Sequence, residues 1–308
     1  MNLIDMHCDM FWKMSEGNTD FCVDLDKLQK AESVAEFFAC FIYTDGTYEG
    51  SYEKALTMLN TGKKYLKQYE EKIGIVRSKK EFENNQKSGK LSAVLTIEEG
   101  GILEGDMSRL EQLWEKDIRL ITLLWNYENC IGYPNSKDKR IMEKGLKPFG
   151  FEVVERMNEL GMMIDVSHMS DGGFWDVIKH SKKPIVASHS NARSLCGHPR
   201  NLSDDMIRAV AEKDGVIGVN FYPYFVNENG IATAEDIVRH IQHIICVGGE
   251  DVVAIGTDFD GFDEGQLELE HIGQIEVLYK AMKKAGMKES LMEKIGYKNA
   301  MKIFNFFP

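Results

Sequence analysis

The sequence predicts an α/β protein, a single TIM-type (β/α)8 barrel that takes in residues 1–308 as one domain. Three observations point there. Eight short apolar runs alternate with eight segments of helical spacing. No Pro-, Gly- or Ser-rich linker and no internal repeat divides that alternation. Residue types that bind metals recur at the C-terminal ends of the runs, where barrels of this kind carry their chemistry. A doubly wound open sheet is the alternative, weakened because no Gly-x-Gly-x-x-Gly follows the first run.

The runs expected to be strands are Leu3–Asp9, Glu36–Tyr43, Leu91–Glu98, Ile118–Trp125, Met162–His168, Pro184–His189, Gly215–Tyr222 and Val252–Asp260. Several are apolar almost throughout, as parallel strands covered on both faces should be. In the first, Leu3, Ile4 and Met6 are the buried positions. Alternation along a strand then puts His7 and Asp9 on one face and turns Cys8 to the other. Helical spacing places Ala55, Leu56, Leu59 and Leu66 on one side of Ser51–Tyr69, and Val153, Val154 and Met157 on one side of Gly150–Leu160. Met107–Lys116, Phe174–His180 and Ser203–Lys213 follow the same spacing, Ser203 serving as a cap. Thr233 and Asp236 fit a capping box ahead of Ile237, Ile241 and Ile244, and Gly248 and Gly249 end that helix. His271–Ala285 and Ser290–Phe306 supply the last helical material. Trp114 and Trp175 lie at helical positions and are expected in the core. Asn126–Lys147, with Lys137, Asp138, Lys139 and Arg140, reads as a loop overhanging the active face.

Charge removes several partner classes. The net charge is −12 and no block of Lys or Arg marks a phosphate-binding stripe, so neither nucleic acid nor an anionic membrane surface is expected as a partner. No apolar run approaches the roughly 18 residues of a membrane span. The N-terminus shows no basic segment or apolar signal core. Six scattered cysteines without a Cys-x-x-Cys pair read as free, mostly buried thiols. The expectation is a cytoplasmic protein, with a homodimer compatible with the sequence.

The candidate ligands are His7 and Asp9 after the first run, Glu98 or Glu99 after the third, His168 after the fifth and His189 after the sixth. Asp258 and Asp260 end the eighth. A histidine and a carboxylate two apart on one face can reach one divalent cation. Taken alone, such a pair is more often a buried histidine bonded to its neighbour. Three of the eight histidines at predicted strand ends make a metal site the better reading. His180, His240, His243 and His271 look ordinary.

His7-x-Asp9, Thr96-Ile97-Glu98, the run Ile164 to His168, Ser188-His189-Ser190 with Arg200-Asn201 downstream, and the run Thr257 to Gly261 together resemble the membrane (renal) dipeptidase family. These are zinc peptidases on a barrel related to the amidohydrolases. The resemblance implies two Zn2+ per chain, one held by His7 and Asp9, the other by His168 and His189, with one glutamate bridging. Gapless alignment gives the bridge to Glu98, and a shift of one residue would give it to Glu99. Asp258 matches the family's acid/base carboxylate. Arg200 matches the arginine that holds the substrate carboxylate, with His198 and Pro199 positioning it in a turn. The implied substrates are small dipeptides with a free C-terminal carboxylate, including those with a C-terminal D-residue. Two zinc ions roughly 3.5–4 Å apart would lower the pKa of a shared water and polarise the scissile carbonyl. The chain departs from the family's eukaryotic members at Trp125, where they carry a substrate-binding histidine. Trp125 is expected to narrow the pocket, and either Tyr127, two residues on, or a zinc ion to supply the missing stabilisation. Competing readings are another amide or lactone hydrolase on the same centre, or a silent ligand-binding relative. Against a deaminase stands the opening His-x-Asp in place of His-x-His.

Overall fold

The computed structural model describes residues 1–308. The barrel strands are β1 (Leu3–Cys8), β2 (Ser33–Phe41), β3 (Leu91–Glu98), β4 (Ile118–Thr122), β5 (Met163–Asp165), β6 (Val186–Ala187), β7 (Val216–Val219) and β8 (Val253–Ile255). All pair in parallel in chain order. The ring closes where β8 meets β1, with Asp5 opposite Ile255. Seven of the eight predicted runs contain their strand, β2 instead starting at Ser33, three residues before its run, and all ladders but that of β3 stop short of the ends of the runs. Pro184–His189, for example, is paired as a strand only at Val186–Ala187. The chain stays fully buried through Ser188 and His189 after the ladder ends, so apolar and buried character outlasts strand pairing.

Alternation of side chains sorts the core into two layers. From β3, Ala93, Leu95 and Ile97 join the large cluster between sheet and helices. Val94 instead joins Ile4, Met6, Phe37 and Leu120 in a smaller cluster inside the barrel. That inner cluster includes Phe304 and Phe307 of the C-terminal segment, and Phe304 stacks on Phe82 at 3.8 Å. It plugs the end of the barrel remote from the ligand residues. The same parity sets Thr96 and Glu98 inward and Glu99 outward. Inside, Gly218 and Gly256 leave room for the Ser188 carbonyl, which a Cβ at either position would strike.

Several elements were not legible in the sequence. Ile73–Ile75 pairs with the first part of β3, while β4 takes the rest of that edge. Three residues, one of them glycine, are too short to show a period of two. Helix Lys79–Lys87 follows, capped by Ser78. The expected loop Asn126–Lys147 contains a helical turn, Lys139–Met142, whose cap Asp138 accepts from the Arg140 N–H at 2.9 Å. Trp175 is not core: Gly173, Phe174 and Val177 form the buried side of helix Asp171–His180, and Trp175 is 42% exposed. Trp114 is half-buried, its indole N–H donating to the Leu160 carbonyl at 3.0 Å. No helix is long and apolar enough to cross a membrane.

Candidate metal centre and active site

Five side chains from four strand ends converge inside the barrel mouth. His7 lies on β1 and Asp9 just beyond it; Glu98 ends β3; His168 and His189 follow β5 and β6. None is more than 8% exposed. The Glu98 carboxylate sits in the middle. Its Oε2 lies 3.1 Å from His7 Nε2, and its Oε1 lies 3.0 Å from His168 Nε2 and 3.5 Å from His189 Nε2. Asp9 Oδ2 is 3.4 Å from His7 Nε2, and the two histidines His168 and His189 bring their Nε2 atoms within 3.1 Å. Asp258, after β8, points Oδ1 toward His7 Nε2 at 3.8 Å.

Backbone conformation aims these groups. His168 and Asp258 have positive φ, 68° and 63°. Side chains rarely adopt this region, and it redirects a residue leaving a strand. Glu99 also has positive φ and turns away; its Oε1 accepts from the Asn129 amide at 2.6 Å and the Gly101 N–H at 2.7 Å.

A second layer of hydrogen bonds fixes the imidazoles. Ser188 Oγ donates to Asp165 Oδ2 at 2.5 Å, which leaves it to accept from His189 Nδ1–H at 2.6 Å. His189 Nε2 therefore presents its lone pair to the cluster. Asp165 Oδ2 also accepts from Thr122 Oγ at 2.6 Å, tying β4, β5 and β6 together. His168 Nδ1 faces Asn126 Oδ1 at 3.4 Å, which likewise frees its Nε2. On the other side Asp5 accepts from the Thr257 N–H and hydroxyl at 2.7 and 2.5 Å, joining β1 to the segment after β8.

The donors present fit a divalent metal. Two carboxylates and three imidazoles form sets of three ligand atoms within 4.8 Å of one another. Both ring nitrogens of His7 and Oδ1 of Asp9 are buried without a hydrogen-bond partner. Such orphans are costly unless a cation satisfies them. The electrostatics agree. Burial alone would push the Glu98 carboxyl up, yet the charge of His7 beside it holds it well below the usual carboxylate range. Burial pulls His7 down, but Glu98 and Asp9 outweigh it and raise its affinity for a proton, a cation in the place a metal would take. His168 is lowered to about 4 by burial and the Arg200 charge, and His189 is lowered by burial, His7 and Arg200, so both are neutral donors. Burial pushes Asp258 up to about 6.

Arg200 is buried beside the cluster without an ion pair. Nη1 donates to Ser190 Oγ at 2.6 Å and Nη2 to the His189 carbonyl at 2.7 Å, while Nε has no partner. The His198 Nδ1 accepts from the Arg200 N–H at 3.2 Å. Arg200 lines a side cavity of about 770 Å³ with Lys137 and His198. That cavity shares Asn126, Tyr222, Phe225 and Glu264 with the metal cavity of about 440 Å³. Trp125 lines the metal cavity, edge-to-face with Phe41 at 4.9 Å and Tyr43 at 5.6 Å.

The expectation that Tyr127 reaches into the pocket does not match its placement. It stands at the rim, 37% exposed, against Gly46, and does not line the metal cavity. The β4 ladder ends at Thr122, so two-residue parity no longer applies at Tyr127. Asp260 is likewise turned aside, accepting from the backbone N–H groups of Cys22 and Val23. His240 is structural: Nδ1 accepts from the Ala192 N–H, and Nε2 donates to the Val226 carbonyl. Sequence reasoning missed Asp5, Asn126, Asn220 and Tyr222. Only Asp5 carried a signal, as a buried acid in an apolar strand.

Comparisons with known proteins extend over the whole chain. Residues 1–306 match the family model described as membrane dipeptidase, peptidase family M19. An uncharacterized protein in the pqqA 5′ region of Klebsiella pneumoniae is 35% identical over 223 residues, 69% of this chain and 81% of its own length. An uncharacterized dipeptidase of Schizosaccharomyces pombe is 32% identical over 267 residues, 82% of this chain but 64% of its own length. A metallo peptidase from Rhodobacter sphaeroides, solved liganded with a phosphinate mimic of the dipeptide L-Ala-D-Ala, has a TM-score of 0.91 at 23% identity. The match covers 100% of this chain and 99% of that one, a likeness of fold.

Proposed function

The chain belongs to the membrane dipeptidase family of metal-dependent peptide-bond hydrolases, and we propose that it is a binuclear zinc dipeptidase. Its substrates on this reading are small dipeptides with a free C-terminal carboxylate, C-terminal D-residues included, and residues 1–308 act as one catalytic domain. The observation that carries the proposal is the Glu98 carboxylate, with one oxygen toward His7 and the other toward His168 and His189. His7 and Asp9 would hold one ion, His168 and His189 the other, and Glu98 both. When bound, the pair of ions supplies Lewis-acid activation of the attacking water and of the scissile carbonyl.

The remaining work falls to the chain's own residues. Arg200, buried, free of any carboxylate partner and lining the side cavity, offers its guanidinium charge to the terminal carboxylate of a short peptide. Its place in the side cavity orients the C-terminal residue there and leaves the N-terminal residue to the metal cavity. Asp258 Oδ1 takes a proton from the attacking water and returns it to the leaving amine nitrogen. Trp125, Phe41 and Tyr43 form an aromatic wall on one side of the metal cavity, against which a substrate side chain would pack.

Metal analysis and a paired substrate test the reading. The zinc-loaded protein should saturate at two ions per chain and cleave dipeptides in preference to their C-terminal amides. Arg200→Ala should lower kcat/KM for the acid roughly ten- to a hundredfold more than for the amide, the value of a hydrogen bond to a charged group. Saturation at one ion, or equal losses on both substrates, would overturn it. Trp125 at the family's histidine position favours a second reading, another amide or lactone hydrolase on the same centre. A dipeptide library without turnover would select it.

A further inference from the structure

Asp258 follows β8 with its backbone in the left-handed region, its own N–H donating to the His7 carbonyl at 3.1 Å. Its carboxylate receives one hydrogen bond from the protein, from the Asn220 amide to Oδ2 at 2.8 Å. Asn220 is fully buried just after β7, and four further contacts hold it. The Tyr222 N–H donates to its Oδ1 at 2.5 Å, and its own backbone N–H donates to Asn191 Oδ1 at 3.0 Å. Asn191 returns an amide hydrogen bond to the Asn220 carbonyl at 2.9 Å, and the Asn220 amide also reaches the His189 carbonyl at 3.3 Å.

The orientation of that amide is determined. A backbone N–H can only donate, so the atom facing Tyr222 must be the carbonyl oxygen, and the NH2 group must face Asp258. Oδ2 is thereby engaged as an acceptor, and Oδ1 alone is left toward His7. We propose that Asn220 is a positioning residue for the reaction. It pins Oδ2 of Asp258 so that Oδ1 is the oxygen presented to the proton in transit. The His189 carbonyl accepts from both the Asn220 amide and Arg200 Nη2, so Asn220 ties the acid/base group to the same carbonyl that holds the Arg200 guanidinium. The inference rests on the reading of Asp258 as the acid/base.

The test is a mutant cycle on the zinc-loaded protein with Ala-Ala as substrate. A group displaced by about 1 Å costs up to about a hundredfold, so Asn220→Ala should lower kcat roughly ten- to a hundredfold. KM should stay within about twofold, since Asn220 does not touch the substrate. Asn220→Asp keeps the acceptor for Tyr222 and nearly the same shape but loses the donor. It should be at least as impaired and also less stable than wild type, because it sets a second buried carboxyl against Asp258, so the cycle with Asp258→Asn is what separates the hydrogen bond from mere packing. Both variants should still bind two ions by elemental analysis. In an Asp258→Asn background, Asn220→Ala should produce no further loss. If Asp258→Asn retains full turnover, the acid/base reading falls and this inference with it. If Asp258→Asn is inactive while Asn220→Ala matches wild type, or if the two losses multiply, the inference alone is overturned.

Discussion

Glu98 and Glu99 are chemically identical neighbours, and a single peptide unit separates a site-forming carboxylate from a structural one. Parity along β3 turns Glu98 inward beside Val94 and Thr96, while Glu99 lodges against Asn129 and Gly101. Glu98→Gln should abolish binding of at least one ion, and Glu99→Gln should leave metal content unchanged; elemental analysis separates them. Glu99 also makes a pH prediction. Burial, only partly offset by Asn129 and Gly101, raises its carboxyl from 4.5 to about 7. The folded state then binds the proton more tightly than the unfolded state. Stability from this group is highest below pH 4.5, falls as pH rises, and reaches its minimum above about 7. The full loss is on the order of 2–4 kcal/mol. Glu99→Gln keeps the acceptor and removes the charge, so its melting temperature should exceed wild type at pH 8 but not at pH 4. At the cavity wall, Trp125→Ala should broaden the side chains accepted. Tyr127→Phe should change kcat by less than about twofold, because an oxyanion donor must lie within hydrogen-bond reach and Tyr127 stands at the rim. A larger loss in the Tyr127 variant would place its hydroxyl in the working site.

Among the elements, the short strands β5 and β6 carry the heaviest second layer. Neither exceeds three residues, so their register depends on side chains as much as on ladder hydrogen bonds. Asp165 joins Thr122, Ser167 and Ser188 in one buried network, and Ser188 passes that order to His189. Ser188→Ala removes the acceptor that sets the His189 tautomer and leaves an Asp165 oxygen with one partner fewer. Partners of this kind are worth about 10–100-fold in metal affinity. A competitive chelator titration should therefore show one ion weakened by roughly that factor while the His7 and Asp9 side is less affected. Equal weakening of both would mean that the network supports the barrel mouth as a whole.

For the whole molecule, a barrel that gathers Asp9, Glu98 and Asp258 around three buried imidazoles holds like charges together away from water. The inner apolar plug and the closed ladder must oppose that repulsion during folding. Removing metal with a chelator should therefore lower the melting temperature, and zinc should restore it with a dependence on free concentration, since a ligand bound only by the folded state stabilises it by mass action. At about a hundredfold excess over Kd the gain is ~2.7 kcal/mol per site. A melting temperature indifferent to chelator and zinc would show that the cluster does not bind metal under those conditions.

By itself the sequence determined the alternation of strand and helix, the positions of His7, Asp9, His168, His189 and Asp258 at strand ends, and the family resemblance. These follow from local periodicity and from spacing within single elements, which the chain carries wherever it is placed. It left Glu98 and Glu99 as alternatives, put Tyr127 on the pocket face and Trp175 in the core, and was silent on Ile73–Ile75. Tertiary structure decided each of these. That Glu98 and not Glu99 faces the histidines needed the inner and outer faces of β3, which exist only once the barrel closes. Tyr127 needed the point at which the β4 ladder ends, which depends on β5. Asn220 acquires its partner only when β7 and β8 lie side by side, because its contact with Asp258 spans 38 residues of chain and no local pattern encodes a contact of that range.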